Sequence, residues 1–574
     1  MNPRLLLPGL AALLCCTTAG PRATTVPAPA AATYAATPDV TTAKVMVVSA
    51  HPEASRVGVE ILRRGGNAYD AAVAVQFALA VVLPAAGNIG GGGFLLYRGP
   101  DGQEGALDFR ETAPAAATRD MYLNKQGNVV PNLSTLGHRA VGVPGTVAGM
   151  EALHQKLGKL PWKDVVQPAV DLAARGVVLT EKEAAGLNNT RDEFAKVNPY
   201  NSYLIPGTWQ PGGTIRHPEL AATLSRIRDQ GRAGFYEGAT ADFIVAEMRR
   251  GHGIITKADL QAYQPKWRTP LHGQYRGYDV LTFPPPSSGG VALLQMLQML
   301  EPYDLRKAGW HSPQATHWIT EAERRVYADR ATYLGDPDFG HVPVARLLDK
   351  AYNQQRMATT APHRATASAA VTAGANIPGY ESDQTTHYSI VDAQGNAVSC
   401  TTTLNGAYGS KVVVAGAGFL LNNEMDDFSA KPGVPNSYGL VGGAANAIAP
   451  GKRMLSSMTP AILTRQGKLT MVVGTPGGST IITSVLQAIL NVLDYDLTMQ
   501  QAVAAPRLHH QWLPDYIDVE QNALTPATRD SLLRRGYLLN PRTPWGRIDA
   551  IRVLPDGRLQ GGADPRGDDS AQGD

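Results

Sequence analysis

The chain has 574 residues, of which 44% are hydrophobic and 18% are charged, a composition typical of a globular protein with a large core. Its 52 basic and 49 acidic residues are interspersed and leave a formal net charge of +3, so no electrostatic argument favours a nucleic-acid partner. A small-molecule substrate is the better expectation.

The first 24 residues have the order of an export signal. Arg4 precedes an apolar run at residues 5–14, which is too short to cross a bilayer as a stable helix. We therefore expect a signal peptide at residues 1–24, a flexible Ala/Pro/Thr-rich leader at residues 25–41, and an exported protein, periplasmic or secreted. Removal of the signal leaves Cys400 as the only cysteine, which excludes an internal disulfide.

Ordered structure is expected from Val45 onward. Residues 45–48 predict a buried strand, and residues 55–82 predict a helix interrupted at two glycines. The glycines at 90–93 lack the lysine and the strand-to-helix pattern of a phosphate loop, so they indicate close backbone packing. Arg110 ends a predicted strand, and its planar guanidinium suits a carboxylate, although a lone arginine is usually a surface charge.

Residues 150–350 are interpreted as a mainly helical scaffold. Thr256 has the pattern of a helix N-cap, and the Pro/Ser/Gly run at 284–290 predicts a rigid break before another apolar helix.

A hairpin is predicted immediately after Gln384. Two β-rich runs, at 386–391 and 396–402, flank the turn residues 392–395, so Thr385 is expected to open a strand. The small and polar residues upstream of Gln384 are typical of a segment that can move.

Thr385 is the candidate nucleophile. A threonine hydroxyl inside a peptide has no base beside it, but cleavage before Thr385 would free an α-amine with a pKa of about 7.7 to 8.0 that can accept its proton. The period of two along a strand places Thr403 and Asn405 together on one face, available to the same site. By itself the pattern is weak, because threonine-rich strands are usually only strands.

The acidic residues Glu424, Asp426 and Asp427 follow the hairpin. Clustered acids can bind a metal, but no histidine accompanies them, and an ammonium group is an equally good partner. The Gly/Pro/Asn-rich residues 432–446 surround Tyr438 and have the composition of an ordinary loop.

The last third of the chain contains a predicted glycine turn before a helix. Gly477 and Gly478 precede Ser479, the expected N-cap of an apolar helix that runs to about residue 493. Backbone N–H groups at such a position can stabilise an oxyanion, although a plain turn has the same pattern. His509 and His510 point to opposite faces of a strand, so we expect structural roles for them.

These motifs, in this order, closely resemble those of the γ-glutamyltransferase (γ-glutamyltranspeptidase) family of N-terminal-nucleophile hydrolases, bacterial type. The resemblance covers essentially everything after residue 42. It is carried by the segments 65–72, 90–94, 108–112, 140–146, 385–389, 403–405, 421–428, 455–458, 474–479, 505–512 and 564–566.

The resemblance implies a fold, a site and an activity. The fold would be an αββα four-layer sandwich of α/β (α+β) class, and the site would need no metal or organic cofactor. Thr385 would attack the γ-glutamyl carbonyl of glutathione or a related compound and pass the group to water or to an amino acid or peptide. The implied site residues are Thr385 with Thr403, the oxyanion donors Gly477 and Gly478, the α-carboxylate partners Arg110, Ser456 and Ser457, the α-amine partners Asn405, Glu424 and Asp427, and the lid residue Tyr438.

The resemblance also implies self-processing. Cleavage between Gln384 and Thr385 would divide one precursor into a large chain, residues 42–384, and a small catalytic chain, residues 385–574, that together form one sandwich. Two alternatives stay open from the sequence: a cephalosporin acylase of the same superfamily that cleaves a glutaryl amide, and an exported binding protein without turnover. The α-amine partners argue against the acylase, because a glutaryl group has no α-amine.

Overall fold

The computed structural model describes residues 39–198, 204, 207–371, 385–431 and 443–574. The predicted signal peptide, most of the leader, Gln384 and Tyr438 lie outside these ranges.

Its strands are β1 (Val40–Thr42), β2 (Met46–Ser49), β3 (Gly92–Arg98), β4 (Glu104–Asp108), β5 (Val177–Val178), β6 (Thr214–Ile215), β7 (Lys266–Arg268), β8 (Leu271–Tyr275), β9 (Tyr278–Thr282), β10 (Thr386–Val391), β11 (Ala397–Thr403), β12 (Ala461–Arg465), β13 (Lys468–Gly474), β14 (Leu508–His509), β15 (Ile517–Glu520), β16 (Leu539–Arg542), β17 (Asp549–Val553), β18 (Leu559–Ala563) and β19 (Ser570–Gly573). Its α-helices are α1 (Pro52–Arg63), α2 (Ala68–Val82), α3 (Thr146–Leu157), α4 (Trp162–Arg175), α5 (Glu181–Asn189), α6 (Arg191–Val197), α7 (Pro218–Gln230), α8 (Ala233–Tyr236), α9 (Gly238–Arg250), α10 (Lys257–Ala262), α11 (Gly289–Leu300), α12 (Leu305–Ala308), α13 (Pro313–Tyr333), α14 (Val344–Leu347), α15 (Lys350–Ala358), α16 (Thr480–Leu493), α17 (Met499–Ala504) and α18 (Pro526–Arg534).

Two seven-stranded sheets form the centre of the described structure. The first sheet has the order β19-β2-β10-β11-β3-β4-β7, and the second has the order β1-β18-β17-β13-β12-β9-β8. Neighbouring strands in both sheets are antiparallel, and β10 lies between β2 and β11. The first sheet therefore combines β19, β10 and β11, from after residue 385, with β2, β3, β4 and β7, from before it.

The alternation of side chains along each strand builds two cores. On β2, Val47 packs with helices α1 and α2 on the outer face of the first sheet, whereas Met46 and Val48 face the second sheet. Helices α11 and α16 cover the other face of the second sheet. The order of layers is helix, sheet, sheet, helix, which confirms the predicted αββα sandwich.

The glycine run at 90–93 packs against the backbone of the hairpin. A Cβ atom on Gly91 would lie 2.0 Å from the carbonyl oxygen of Thr403, and one on Gly90 would lie 2.2 Å from that of Leu420. Any side chain there would collide with backbone. The expectation of close packing is confirmed, and the run fixes the end of β11 beside Thr385.

The mainly helical interpretation of residues 150–350 is wrong for residues 266–282. There β7 joins the edge of the first sheet, and the hairpin of β8 and β9 joins the second. The hairpin turn has positive φ at Arg276 (52°) and Gly277 (79°), the conformation of a tight turn between twisted strands. The predicted cap at Thr256 is confirmed, since its side chain accepts from the N–H of Asp259 at the start of α10.

Ordered structure begins before Val45. Val40 and Thr41, expected in the leader, belong to β1, which pairs with β18 at the edge of the second sheet. Within the described ranges, none of the helices combines the length and the apolar composition that a membrane span requires.

Candidate active site

The hairpin of β10 and β11 places Thr385 at the end of a central strand. Its turn is fixed by Asp392, whose carboxylate accepts from the N–H groups of Gln394 and Asn396 and, across the layers, from that of Ala68 at the start of α2. Thr386 pairs with Thr402, so Thr385 lies opposite Thr403. The predicted hairpin is confirmed.

Thr385 and Thr403 are in contact through their hydroxyls. Thr385 Oγ1 donates to Thr403 Oγ1 at 3.4 Å, and the latter also accepts from the N–H of Asn405 at 2.7 Å. Asn405 has φ of 74°, which turns the chain away from the strand and into the site. Thr403 Oγ1 thus accepts two hydrogen bonds and can orient the Thr385 hydroxyl.

His387 lies on the same strand face as Thr385 and was missed in the sequence analysis. Its ring is buried between the sheets, with Nδ1 2.9 Å from Thr401 Oγ1 and Nε2 3.1 Å from Ser389 Oγ. Burial lowers the pKa of His387 to about 3, so the ring is neutral at physiological pH. The spacing of two residues from Thr385 was the available signal.

A buried ion cluster lies next to the hydroxyl pair. Arg110 Nη1 donates to Glu424 and Nη2 donates to Asp427, and Glu111 Oε2 lies 3.9 Å from Nη1. Burial lowers the pKa of the arginine, but the three carboxylates more than offset this effect and hold it above its ordinary value. Arg110 is therefore charged in the site.

Burial raises the pKa of each acid in this cluster. The pKa of Asp427 rises to about 6 and that of Glu111 to about 7, while that of Glu424 also lies well above its ordinary value. Glu111 was missed by sequence reasoning, although its place directly after Arg110 was a signal. Asp426, by contrast, turns away and accepts from Ser134.

Ser456 and Ser457 face the ion cluster from the second sheet's side. The backbone of Ser456 forms a parallel bridge with Ser287, in the predicted rigid break. Both serines line one cavity with the groups already described. The residues around this cavity are Arg110, Thr385, Thr403, Asn405, Glu424, Asp427, Ser456, Ser457, Met458, Gly478 and Ile481.

The glycine turn before α16 has the expected position but not the expected cap. Gly477 (φ 133°) and Gly478 (φ 54°) occupy the left-handed region, which favours glycine. Ser479 is wrong as a side-chain N-cap, because its backbone is already helical and its hydroxyl donates to Gln511 instead. Gly478 reaches the cavity of Thr385, and Gly477 precedes it directly.

The two adjacent histidines have structural partners. His509 Nδ1 lies 2.8 Å from Thr483 Oγ1, and His510 Nε2 lies 3.3 Å from Asp515 Oδ1. Within the described ranges, no group of three or more His, Cys, Asp or Glu residues is placed to hold a metal ion.

A second and larger cavity, of about 390 Å³, also reaches Thr385. Its walls combine apolar residues such as Leu187 and Trp545 with polar and charged ones such as Asn189 and Lys182. Thr385 therefore stands between a small polar cavity and a larger mixed one. An amide whose carbonyl meets Thr385 can place its acyl half in the first and its amine half in the second.

The comparisons with known proteins agree with this geometry. A family model described as Gamma-glutamyltranspeptidase matches residues 54–574. The chain is 49% identical over 533 residues to a glutathione hydrolase proenzyme from Pseudomonas sp., covering 91% of this chain and 92% of the relative. It is 48% identical over 524 residues to a glutathione hydrolase proenzyme from Escherichia coli, covering 91% of this chain and 90% of the relative. Among solved structures, a cephalosporin acylase from Bacillus halodurans superposes with a TM-score of 0.82 at 27% identity, covering 96% of this chain and 98% of that one.

Proposed function

Because this chain belongs to the gamma-glutamyltranspeptidase family, we propose that it is a self-processing enzyme that cleaves the γ-glutamyl amide of glutathione and related compounds. One observation carries the proposal: a single cavity holds the Thr385 hydroxyl together with a cation, two carboxylates and two serine hydroxyls. These groups complement both charges of a free α-amino acid, and a γ-linked glutamyl group is the acyl group that has them.

Maturation would begin with the peptide bond between Gln384 and Thr385. The Thr385 hydroxyl attacks the Gln384 carbonyl, the C–N bond breaks, and the amine of Thr385 takes a proton as an ester forms. Water then hydrolyses that ester and leaves a new carboxylate on Gln384. Two noncovalently associated chains result, and Thr385 gains the free amine that serves as its base.

Substrate recognition would divide the charges of the glutamyl group between two sets of residues. Arg110, Ser456 and Ser457 bind the α-carboxylate, and Glu424 and Asp427 bind the α-ammonium. Asn405 Nδ2 donates to the carbonyl of Asn423 at 3.0 Å, so the amide oxygen of Asn405 is its free acceptor for the ammonium.

The chemical step follows from this placement. The α-amine of Thr385 takes the hydroxyl proton as Oγ1 attacks the γ-carbonyl, and the N–H groups of Gly477 and Gly478 hold the oxyanion. The C–N bond breaks, the amine leaves with the proton, and a γ-glutamyl ester remains on Thr385. Water or the amine of an amino acid or peptide, bound in the larger cavity, then attacks the ester and releases glutamate or a new γ-glutamyl amide.

We also propose that the enzyme is exported and that Tyr438 belongs to a lid over the glutamyl cavity. The charge-then-apolar order of residues 1–24 supports export. The family membership supports the lid, which would exclude water from the ester.

The experiment that tests this function compares three anilides of one leaving group with the purified protein and with Thr385→Ala. The γ-glutamyl anilide carries both α-charges, the glutaryl anilide lacks the amine, and the 4-aminobutyryl anilide lacks the carboxylate. We expect turnover of the γ-glutamyl anilide with kcat/KM about 100-fold above either analogue, since each lost charge removes a charge-assisted contact. Thr385→Ala should turn over none.

Two results would contradict the proposal. Equal turnover of the glutaryl and γ-glutamyl anilides would favour the acylase alternative, to which the cephalosporin acylase is the structural precedent. Absence of any turnover by the wild-type protein would favour the binding-protein alternative.

A further inference from the structure

Arg330, on helix α13, reaches the floor of the glutamyl cavity from the part of the chain that the sequence analysis treated as scaffold. Its side chain is 4% exposed. Nη2 donates to Ser457 Oγ at 2.9 Å and Nε donates to Ser288 Oγ at 2.8 Å. Arg330 does not itself line the cavity. It acts on the site through these serines and electrostatically on Asp427, whose pKa its charge lowers.

The contact with Ser457 determines what that hydroxyl can do. A serine hydroxyl has one hydrogen, and Ser457 Oγ accepts its hydrogen bond from Arg330. Ser456 Oγ accepts in the same way from the N–H of Met458 at 3.1 Å. Among the described residues neither hydroxyl donates to a protein acceptor, so both hydrogens can point to an anion in the cavity.

The contact with Ser288 extends this control to the backbone. Both the N–H and the hydroxyl of Ser288 donate to the carbonyl of Ser456 at 2.7 Å, and Ser287 Oγ donates to the carbonyl of Met458 at 2.6 Å. One guanidinium thus holds the side chain of Ser457 directly and the backbone of Ser456 through Ser288. These two contacts of Arg330 together fix the hydroxyls of Ser456 and Ser457 relative to each other.

The charge of Arg330 also matters for an incoming carboxylate. The cluster on the opposite wall contains one cation, Arg110, and three acids, Glu111, Glu424 and Asp427. A carboxylate that binds beside three acids is repelled by any excess of negative charge. The buried guanidinium behind Ser457 offsets that repulsion from the serine side.

We propose that Arg330 is a positioning residue that determines specificity for the α-carboxylate of the substrate, because it orients the Ser457 hydroxyl as a donor and fixes Ser456 through Ser288. This inference rests on the proposed function, since it names the group through which that site selects its acyl donor.

The test measures kcat and KM for the γ-glutamyl and 4-aminobutyryl anilides with wild type, Arg330→Met, Arg330→Lys and Ser457→Ala. For Arg330→Met we expect a fall of about 10- to 100-fold in kcat/KM for the γ-glutamyl anilide, mostly through KM, the loss typical of a hydrogen bond to a charged group. The 4-aminobutyryl anilide, which has no α-carboxylate, should lose much less, because only the electrostatic effect of Arg330 on Asp427 concerns its ammonium group. Arg330→Lys keeps the charge without the planar guanidinium, so it should retain part of the preference for the γ-glutamyl anilide over the 4-aminobutyryl anilide.

Two controls separate positioning from general damage. Arg325→Met removes another buried arginine of α13, one that bonds Glu321 and the carbonyl of Arg356 away from the site, and should leave the ratio of the two substrates unchanged. The double variant of Arg330→Met with Ser457→Ala should lose less than the product of the two single losses, because both changes remove the Arg330–Ser457 contact, whereas the Ser288 contact and the charge of Arg330 are lost only with Arg330.

An unchanged substrate ratio in Arg330→Met would overturn the inference while leaving the proposed function intact. If that variant does not fold or process, Arg330→Lys provides the test. A wild-type ratio of kcat/KM for the two anilides in Arg330→Lys would then overturn the inference as well. A wild-type enzyme without preference for the α-carboxylate would instead contradict the proposed function itself.

Discussion

Single residues set the geometry of the proposed nucleophile. Thr385 would supply both the hydroxyl and, after the proposed cleavage, the amine, and its hydroxyl donates to Thr403, which fixes the direction of that hydroxyl. Thr386, the next residue, points to the other face of the strand, and its buried Oγ1 has no hydrogen-bond partner among the described residues. Of these two neighbouring threonines, only Thr385 is placed to take part in the proposed reaction.

Removal of the Thr403 hydroxyl should slow both self-processing and turnover. We expect Thr403→Ala to reduce each rate about tenfold, the effect of one hydrogen bond in an active site, and Thr403→Ser to retain most of both. Gel-resolved cleavage and anilide kinetics measure the two rates. Thr386→Val is the matched control with wild-type rates, and wild-type rates in Thr403→Ala would contradict this role for Thr403.

The acids of the cluster predict a pH dependence of substrate capture. Burial raises the pKa of Asp427 to about 6, and only the ionised carboxylate attracts the α-ammonium of the substrate. As pH falls through about 6, Asp427 becomes protonated, and this loss should add to the decrease in kcat/KM that protonation of the Thr385 α-amine begins at higher pH. The ratio of kcat/KM between wild type and Asp427→Asn isolates the contribution of Asp427, because the amine is common to both. We expect that ratio to fall as the pH decreases from 8 to 5, and a constant ratio would contradict the assignment.

At the scale of elements, strands β10 and β13 meet tightly between the sheets. A Cβ atom on Gly474 of β13 would lie 2.2 Å from Cε1 of His387 on β10. The His387 ring cannot swing away freely, because Thr401 and Ser389 hold both of its nitrogens. Gly474 therefore sets the distance between the two sheets next to the nucleophile.

Gly474→Ala should lower the free energy of unfolding by about 1 to 3 kcal/mol, the usual cost of overpacking a core. Denaturant unfolding measures the change. The control is Gly340→Ala, because a Cβ atom there meets nothing within 4 Å and the position is exposed. Equal stabilities of the two variants would show that the sheets adapt at this position.

The elements that sequence reasoning found are those with local signals. The β10–β11 hairpin, the break before α11 and the glycine turn before α16 each follow from neighbouring residues, and each occurs as expected. The strand β7 was missed because it pairs only with a strand distant in the sequence, as Arg268 does with Ala106. The β8–β9 hairpin had a local signal in the turn at Arg276 and Gly277, which was overlooked.

The residues of the site also divide into those with a sequence signal and those without one. Its motif residues could be placed from the family resemblance, and the structure brings most of them to one cavity. The contact of Arg330 with Ser457 could not be predicted, because the two residues are 127 positions apart and meet only through the tertiary packing of α13, which lies against α11. Tertiary packing, which has no local signal, decides such contacts.

At the scale of the whole molecule, the position of residue 385 has a consequence for the processed protein. The proposed cleavage before β10 would leave that strand paired with β2 of the upstream chain, and β11 would stay paired with β3. The cores on both faces of the first sheet also contain residues from both chains. No disulfide is needed to hold them, and Cys400 is a buried free thiol.

The two chains should therefore remain together after processing. In native size-exclusion chromatography we expect both fragments in one peak at the mass of the unprocessed chain or a multiple of it, and separation only in denaturant. Fragments that separate under native, non-reducing conditions would contradict the interleaved arrangement of the strands.

The proposed activity requires Thr385 to become an N-terminal nucleophile. Intact-protein mass spectrometry after an acid quench with a γ-glutamyl donor tests this requirement directly. For the wild type we predict two fragments, the smaller beginning at Thr385 and carrying a γ-glutamyl adduct on that residue. For Thr385→Ala we predict one uncleaved chain without an adduct. An uncleaved wild-type chain that turns over the donor, or an adduct on another residue, would contradict the account.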